Sequence, residues 1–114
     1  MNENLEERTK DFALQIIKLV ERLPRTKTTK IIGGQLLKAG TSVGASYRAS
    51  YRARSREEFI ASMGIVERES DQSLYWLELL VAAGLVTQEE VAPLMDEARQ
   101  LIAVAVSSIN TARW

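Results

Sequence analysis

Histidine and cysteine are both absent from this 114-residue chain. Without histidine the chain lacks the commonest general acid–base and the commonest metal ligand. Without cysteine it has no disulfide framework and no thiolate metal site, which fits a reducing cytoplasm. Proline occurs only twice, so there is little to interrupt helices. No apolar run approaches the roughly 20 residues that span a bilayer, and no membrane association is expected. The opening run Met-Asn-Glu-Asn-Leu-Glu-Glu is acidic, unlike a signal peptide. What remains is an ordinary globular composition, 46% apolar and 26% charged, at a length that fits one domain over 1–114. A core of this size leaves a thin margin of stability, which self-association would widen.

The formal net charge of zero hides a strong asymmetry. Between Arg22 and Arg56 there are nine Lys or Arg residues and no acid, so that segment alone carries +9. Residues 1–21 carry three basic and five acidic side chains, and residues 57–114 three basic and ten acidic. The middle of the chain is a basic field inside a neutral protein.

Four helices are legible from caps and periods. Leu5, Phe12, Ile16, Leu19 and Leu23 keep helical spacing, with Asn4 and Glu7 resembling a capping box and Pro24 ending the segment. A second helix is expected from near Thr28 to about Tyr51, its inner face marked by Ile32, Leu36, Ala39, Val43 and Tyr47. Its weakness is Gly33, Gly34, Gly40 and Gly44, each costing about 1 kcal/mol relative to alanine inside a helix. Two readings of these stay open: an irregular helix, or Gly40 and Gly44, one turn apart, admitting a neighbouring helix closely. A third helix opens at Ser55, with Glu58 completing a capping box, and ends at Gly84; Phe59, Met63, Val66, Ser70, Leu74, Leu77 and Val81 face inward. A fourth opens at Thr87 with Glu90 completing its box and Val86 and Val91 placed as a hydrophobic staple. Val91, Leu94, Ala98, Leu101, Ala105 and Ile109 form its inner face, and Pro93 lies just past the first turn, where it is tolerated. Short connections make sequential helices antiparallel. The fold class is therefore all-α, an antiparallel up-down-up-down four-helix bundle.

Helices one and four carry more apolar surface than a single stripe requires. Ile17 and Val20 on the first, Ile102 and Val106 on the last, and Trp76 on the third are candidates for a homo-oligomer interface, where aromatic and apolar anchors concentrate. Tyr75, Trp76 and Trp114 read as packing or interface groups.

The run Thr41-Ser42-Val43-Gly44-Ala45-Ser46-Tyr47-Arg48-Ala49, then Arg52 to Ile60, then Gly64-Ile65-Val66-Glu67, then Leu74 to Leu80, resembles the bacterial four-helix-bundle proteins encoded in intervening sequences of 23S ribosomal RNA genes, also called S23 ribosomal proteins. The resemblance extends over nearly the whole chain. It implies an up-down-up-down bundle assembled as a ring-like homopentamer. A more distant similarity is to the accessory protein of diversity-generating retroelements, a basic pentameric barrel that partners a reverse transcriptase and binds nucleic acid. Many family members carry Asn where this chain has Ser46, which keeps a polar group of shorter reach.

The residues that would contact RNA or DNA are Arg25, Lys27, Lys30, Lys38, Tyr47, Arg48, Tyr51, Arg52, Arg54 and Arg56. Arginine pairs bidentately with phosphate and stacks on bases, and tyrosine offers a stacking face. The competing reading pairs these cations with acids of helices three and four, such as Glu67, Glu69, Asp71 and Glu78, leaving a module that binds another protein. No catalytic residue, metal site or cofactor is expected. Without histidine the carboxylates cannot form the Glu-x-x-His pairs of di-iron bundles. The stretch from Gly34 to Ser42 fails as a phosphate loop, because its lysine comes too early and no strand precedes it. The chain is thus expected to be a cytoplasmic, non-enzymatic scaffold or nucleic-acid-binding accessory.

Overall fold

The computed structural model describes residues 4–113; Trp114 and the first three residues lie outside them. Four helices follow one another: α1 (Leu5–Glu21), α2 (Lys27–Tyr51), α3 (Arg56–Ala82) and α4 (Gln88–Ala112). Each is started by a side chain that accepts orphan backbone N–H groups. Asn4 accepts from Glu6 and Glu7, Thr26 from Thr29, Ser55 from Glu58 and Thr87 from Glu90.

Only two of these caps are reciprocal boxes. At Thr87 the Glu90 carboxylate takes the Thr87 N–H at 3.1 Å, as its spacing implies. At Ser55 the Glu58 carboxylate takes the N–H of Arg54 instead, at 3.0 Å, one residue before the cap. At Asn4 only the cap side chain acts, receiving N–H groups at 3.0 and 3.3 Å. A further box stands where none was expected, at Thr26, with Thr29 in the place usually held by Glu or Gln. It starts α2 at Lys27, a residue earlier than Thr28. The Thr29 hydroxyl also donates to the carbonyl of Pro24, fastening the turn to the helix.

α1 ends at Glu21, before Leu23, because Pro24 disfavours helical geometry in the preceding residue. α3 ends at Ala82, capped by Ala83, with Gly84 at φ +74°, the left-handed conformation that costs glycine nothing. The Gly84 N–H reaches Val81 O at 3.0 Å and the Leu85 N–H reaches Leu80 O at 2.9 Å, the paired bonds of a Schellman ending.

α2 is a continuous helix of 25 residues despite its glycines. A Cβ built on Gly33 would meet Val20 and Leu23, one on Gly40 would meet Ile16, and one on Gly44 would meet Thr9. Rising numbers on α2 meet falling numbers on α1, so the two run antiparallel and the glycines are where α1 lies closest. α2 packs on α1 and α3, and α3 on α4, the neighbour order of an up-down-up-down bundle. α1 and α4 meet over a short stretch only. There Arg8 places a two-pronged bond on Glu97, at 2.9 and 2.7 Å.

The inner faces of α3 and α4 fall on the expected period. Val91, Leu94, Ala98, Leu101, Ala105 and Ile109 are all buried, joined by Met95. On α3, Met63, Val66, Ser70 and Leu77 are buried, with Ser73 and Leu80 in addition, while Phe59, Leu74 and Val81 are half-buried against the core. Burying these apolar side chains supplies the main drive to fold, about 1.5–3 kcal/mol for each large one. No helix among the described residues is long and apolar enough to cross a membrane.

Candidate nucleic-acid interface

All nine cations between Arg22 and Arg56 are exposed. Among the described residues only Arg48 reaches a carboxylate, Glu6 of α1, at 3.3 Å. Both partners are about half exposed, a setting in which an ion pair adds little. The expected pairing with acids of α3 and α4 does not form. Glu69 instead accepts from the Ser46 hydroxyl at 2.7 Å, so serine's short reach suffices for this α2–α3 link. The side of α2 turned toward α3 carries Ala39 and Ser46, and Lys38 shares a cleft there with Glu69 and Asp71 without closing an ion pair.

Apart from Arg22, the C-cap of α1, the cations fall into three groups on α2 and at its two ends. At its C-terminal end stand Arg48 and Arg52, followed by Arg54 and Arg56 in the turn and at the start of α3. Tyr47 and Tyr51 stack beside them, ring centroids 6.0 Å apart and planes within 10°. Tyr51 is 58% exposed, so its outer ring face is open. Tyr47 is half-buried, and burial, then the neighbouring Tyr51 and Glu6, raises its pKa above the ordinary tyrosine value. At the opposite end Arg25, Lys27 and Lys30 border an open cleft of about 1050 Å³ floored by Val20, Leu23 and Leu37. Lys38 lies between, on the rim of a cleft of about 420 Å³ shared with Gln35, Ser42, Trp76 and two carboxylates, Glu69 and Asp71.

α2 differs from its neighbours at its start. α1, α3 and α4 each place two glutamates in their first turn, where the helix dipole favours negative charge. The first turn of α2 has no acid and begins with Lys27.

The apolar interface candidates are not gathered into one patch. Val20 turns toward Gly33 of α2. Trp76 is half-buried on the α2–α3 side, edge-on to Tyr75 at 5.0 Å. Ile17 and Ile102 are half-buried on α1 and α4, and Val106 is 37% exposed. More apolar surface is presented by Leu14 and Ile31, 48% and 57% exposed, which periodicity alone did not single out because each neighbours another apolar residue or a small one. Among the described residues no group of three or more carboxylates is placed to hold a metal ion.

The model of the 23S rRNA-intervening sequence proteins matches residues 3–107. The chain belongs to this family. A crystal structure of an S23 ribosomal protein family member of unknown function, from Bacteroides thetaiotaomicron VPI-5482, superposes with a TM-score of 0.86. The two are 28% identical over 93% of this chain and 98% of the other. No curated protein matches the chain. Membership in the 23S rRNA-intervening sequence family thus agrees with the four-helix architecture and leaves the task of the bundle to be argued from its surface.

Proposed function

We propose that this chain is a non-enzymatic, homo-oligomeric helical bundle of the cytoplasm that binds nucleic acid electrostatically through residues 22–56. The observation that carries this reading is the exposure of nine cations with a single carboxylate partner among the described residues. Unpaired surface cations attract phosphate and release its counterions. Arg48, Arg52, Arg54 and Arg56 supply bidentate phosphate contacts, and Tyr51 offers a stacking face beside them. Self-association would cover Leu14, Ile31 and Val106, which leave apolar area in water on three helices. The resemblance to ring-forming bundles makes the expected assembly a pentamer, repeating the basic surface around the ring.

The test is binding of a structured RNA and of a DNA duplex at several salt concentrations. Wild type is compared with a variant carrying Arg48, Arg52, Arg54 and Arg56 changed to alanine. Affinity is expected to fall with salt by a log–log slope of roughly 0.7–0.9 per phosphate contacted, and to be lost in the variant while its circular dichroism is unchanged. Absence of binding to either probe at low salt overturns the reading and leaves a protein-binding scaffold, for which the exposed Leu14 and Ile31 speak. Light scattering that finds a monomer at micromolar concentration removes the oligomer.

A further inference from the structure

Four cations of α2 and its C-cap Arg52 form one track. At about 100° per residue, Lys27, Lys30, Lys38, Arg48 and Arg52 fall within an arc of about 80° on the solvent side of the helix. All five are exposed, and no acid occurs anywhere on α2. The ridge between them is low. Gly34, Thr41 and Ala45 occupy the same arc, and Ile31, 57% exposed, stands about 20° beside it.

The spacing along the axis is uneven. At about 1.5 Å per residue, the midpoint of Lys27 and Lys30 lies about 14 Å from Lys38. Lys38 in turn lies about 18 Å from the midpoint of Arg48 and Arg52, giving about 32 Å between the two ends. One turn of B-form duplex is roughly 34–36 Å. Within that turn the two backbones divide the length unequally, between a minor groove about 6 Å wide and a major groove about 12 Å wide.

We propose that double-stranded DNA lies lengthwise along α2, held by its backbones over one turn and not read in sequence. This rests on the nucleic-acid reading above and names its substrate. Lys27 with Lys30, and Arg48 with Arg52, grip one backbone at the two ends of the turn. Lys38 meets the other backbone between them. The shorter interval spans the minor groove and the longer one spans the major groove. Thr41 and Ala45 face the major groove with side chains too short to reach base edges, and the Thr41 hydroxyl is already donated to Leu37 O. Binding is therefore indifferent to sequence. A single strand, whose phosphates follow no fixed spacing, engages the ends independently.

The test is fluorescence anisotropy of labelled mixed-sequence DNA duplexes of about 6 and 14 base pairs, with the matching single strand and an RNA duplex alongside. Wild type is compared with Lys27→Ala/Lys30→Ala and with Arg48→Ala/Arg52→Ala. Each change puts a strong helix former at an exposed position, and circular dichroism confirms the fold. Five phosphate contacts at a slope near 0.9 each predict about a 500-fold loss of affinity for the longer duplex between 50 and 200 mM salt. Either double variant, with three contacts left, should lose only about 40-fold over the same range. The longer duplex should bind more tightly than the shorter one and than the single strand. The inference is overturned if the single strand or the RNA duplex binds at least as tightly, or if Lys27→Ala/Lys30→Ala keeps the wild-type salt dependence; the nucleic-acid reading survives either result. If no probe binds at low salt, both fall together.

Discussion

Two glycines of α2 should respond to the same substitution in opposite directions. Gly34 is exposed, and a Cβ there would meet nothing within 4 Å. Gly34→Ala therefore gains the helix propensity that glycine forfeits, about 1 kcal/mol. Gly40 is buried beneath α1, and its Cβ would stand 2.9 Å from Ile16 Cγ1, 3.1 Å from Cγ2 and 3.3 Å from Cβ. These atoms are the branch of a β-branched side chain with restricted χ1, and Ile16 itself is fully buried. The ring of contacts around it cannot yield by a rotation of one flexible end. Overpacking of this kind costs about 1–3 kcal/mol, which outweighs the same propensity gain. The expected net effect of Gly40→Ala is a loss of about 1 kcal/mol, separating the two variants by about 2 kcal/mol. Urea unfolding at fixed protein concentration measures this. With a slope of about 1.5 kcal/mol/M, Gly34→Ala should raise the midpoint by about 0.7 M and Gly40→Ala should lower it by a similar amount. If Gly40→Ala stabilises the protein as much as Gly34→Ala, α1 does not lie as close to α2 as described, and the reason given for glycine at this position is wrong.

Ser70 is fully buried, and its hydroxyl has no hydrogen-bond partner among the described residues. Ser70→Ala should leave stability unchanged or raise it by up to about 1 kcal/mol, because a desolvated hydroxyl is removed at no loss of a bond; a loss greater than that in urea unfolding would mean the hydroxyl is satisfied. Tyr47 holds its proton more tightly in the folded state than in the unfolded chain. Its contribution to stability is thus fully present below the ordinary tyrosine pKa and is lost as pH rises through the raised folded value. Phenolate absorbance should show a tyrosine titrating above the ordinary value, absent in Tyr47→Phe, and that variant should lose less stability in alkali than wild type.

The helices and the inner faces of α3 and α4 were legible because their signals are local. Thr87 and Glu90 lie three residues apart in the chain and remain so in the fold, and Gly84 needs only its own backbone conformation to end α3. The box at Thr26 was missed because Thr29 does the work with a hydroxyl where the usual pattern has a carboxamide or carboxylate. Glu58 was assigned to the wrong N–H for a related reason: a flexible carboxylate at that spacing can reach either of two neighbouring donors. The part played by Gly40 and Gly44 could not be decided within α2 at all. It depends on Ile16 and Thr9, and only the docking of α1 brings these across the helix.

Charge shows the same division more sharply. Adding the segments suggests that a basic helix and an acidic pair of helices neutralise one another, yet adjacent helices need not present their charged faces to each other. Ser46 meets Glu69, while the cations of α2 stay in water. At the end of α2, Arg48 complements the helix dipole; at its start the cations oppose it. Lys27 and Lys30 stand at the positive end of the helix dipole, where the other three helices place glutamates. Arg48 and Arg52 are four residues apart, a spacing at which like charges repel by a few tenths of a kcal/mol. The first-turn rule that holds on α1, α3 and α4 fails on α2, which points to a surface shaped by something outside the bundle. A polyanion along α2 would offset the charge at both ends of the helix at once, whereas Glu6 reaches Arg48 alone.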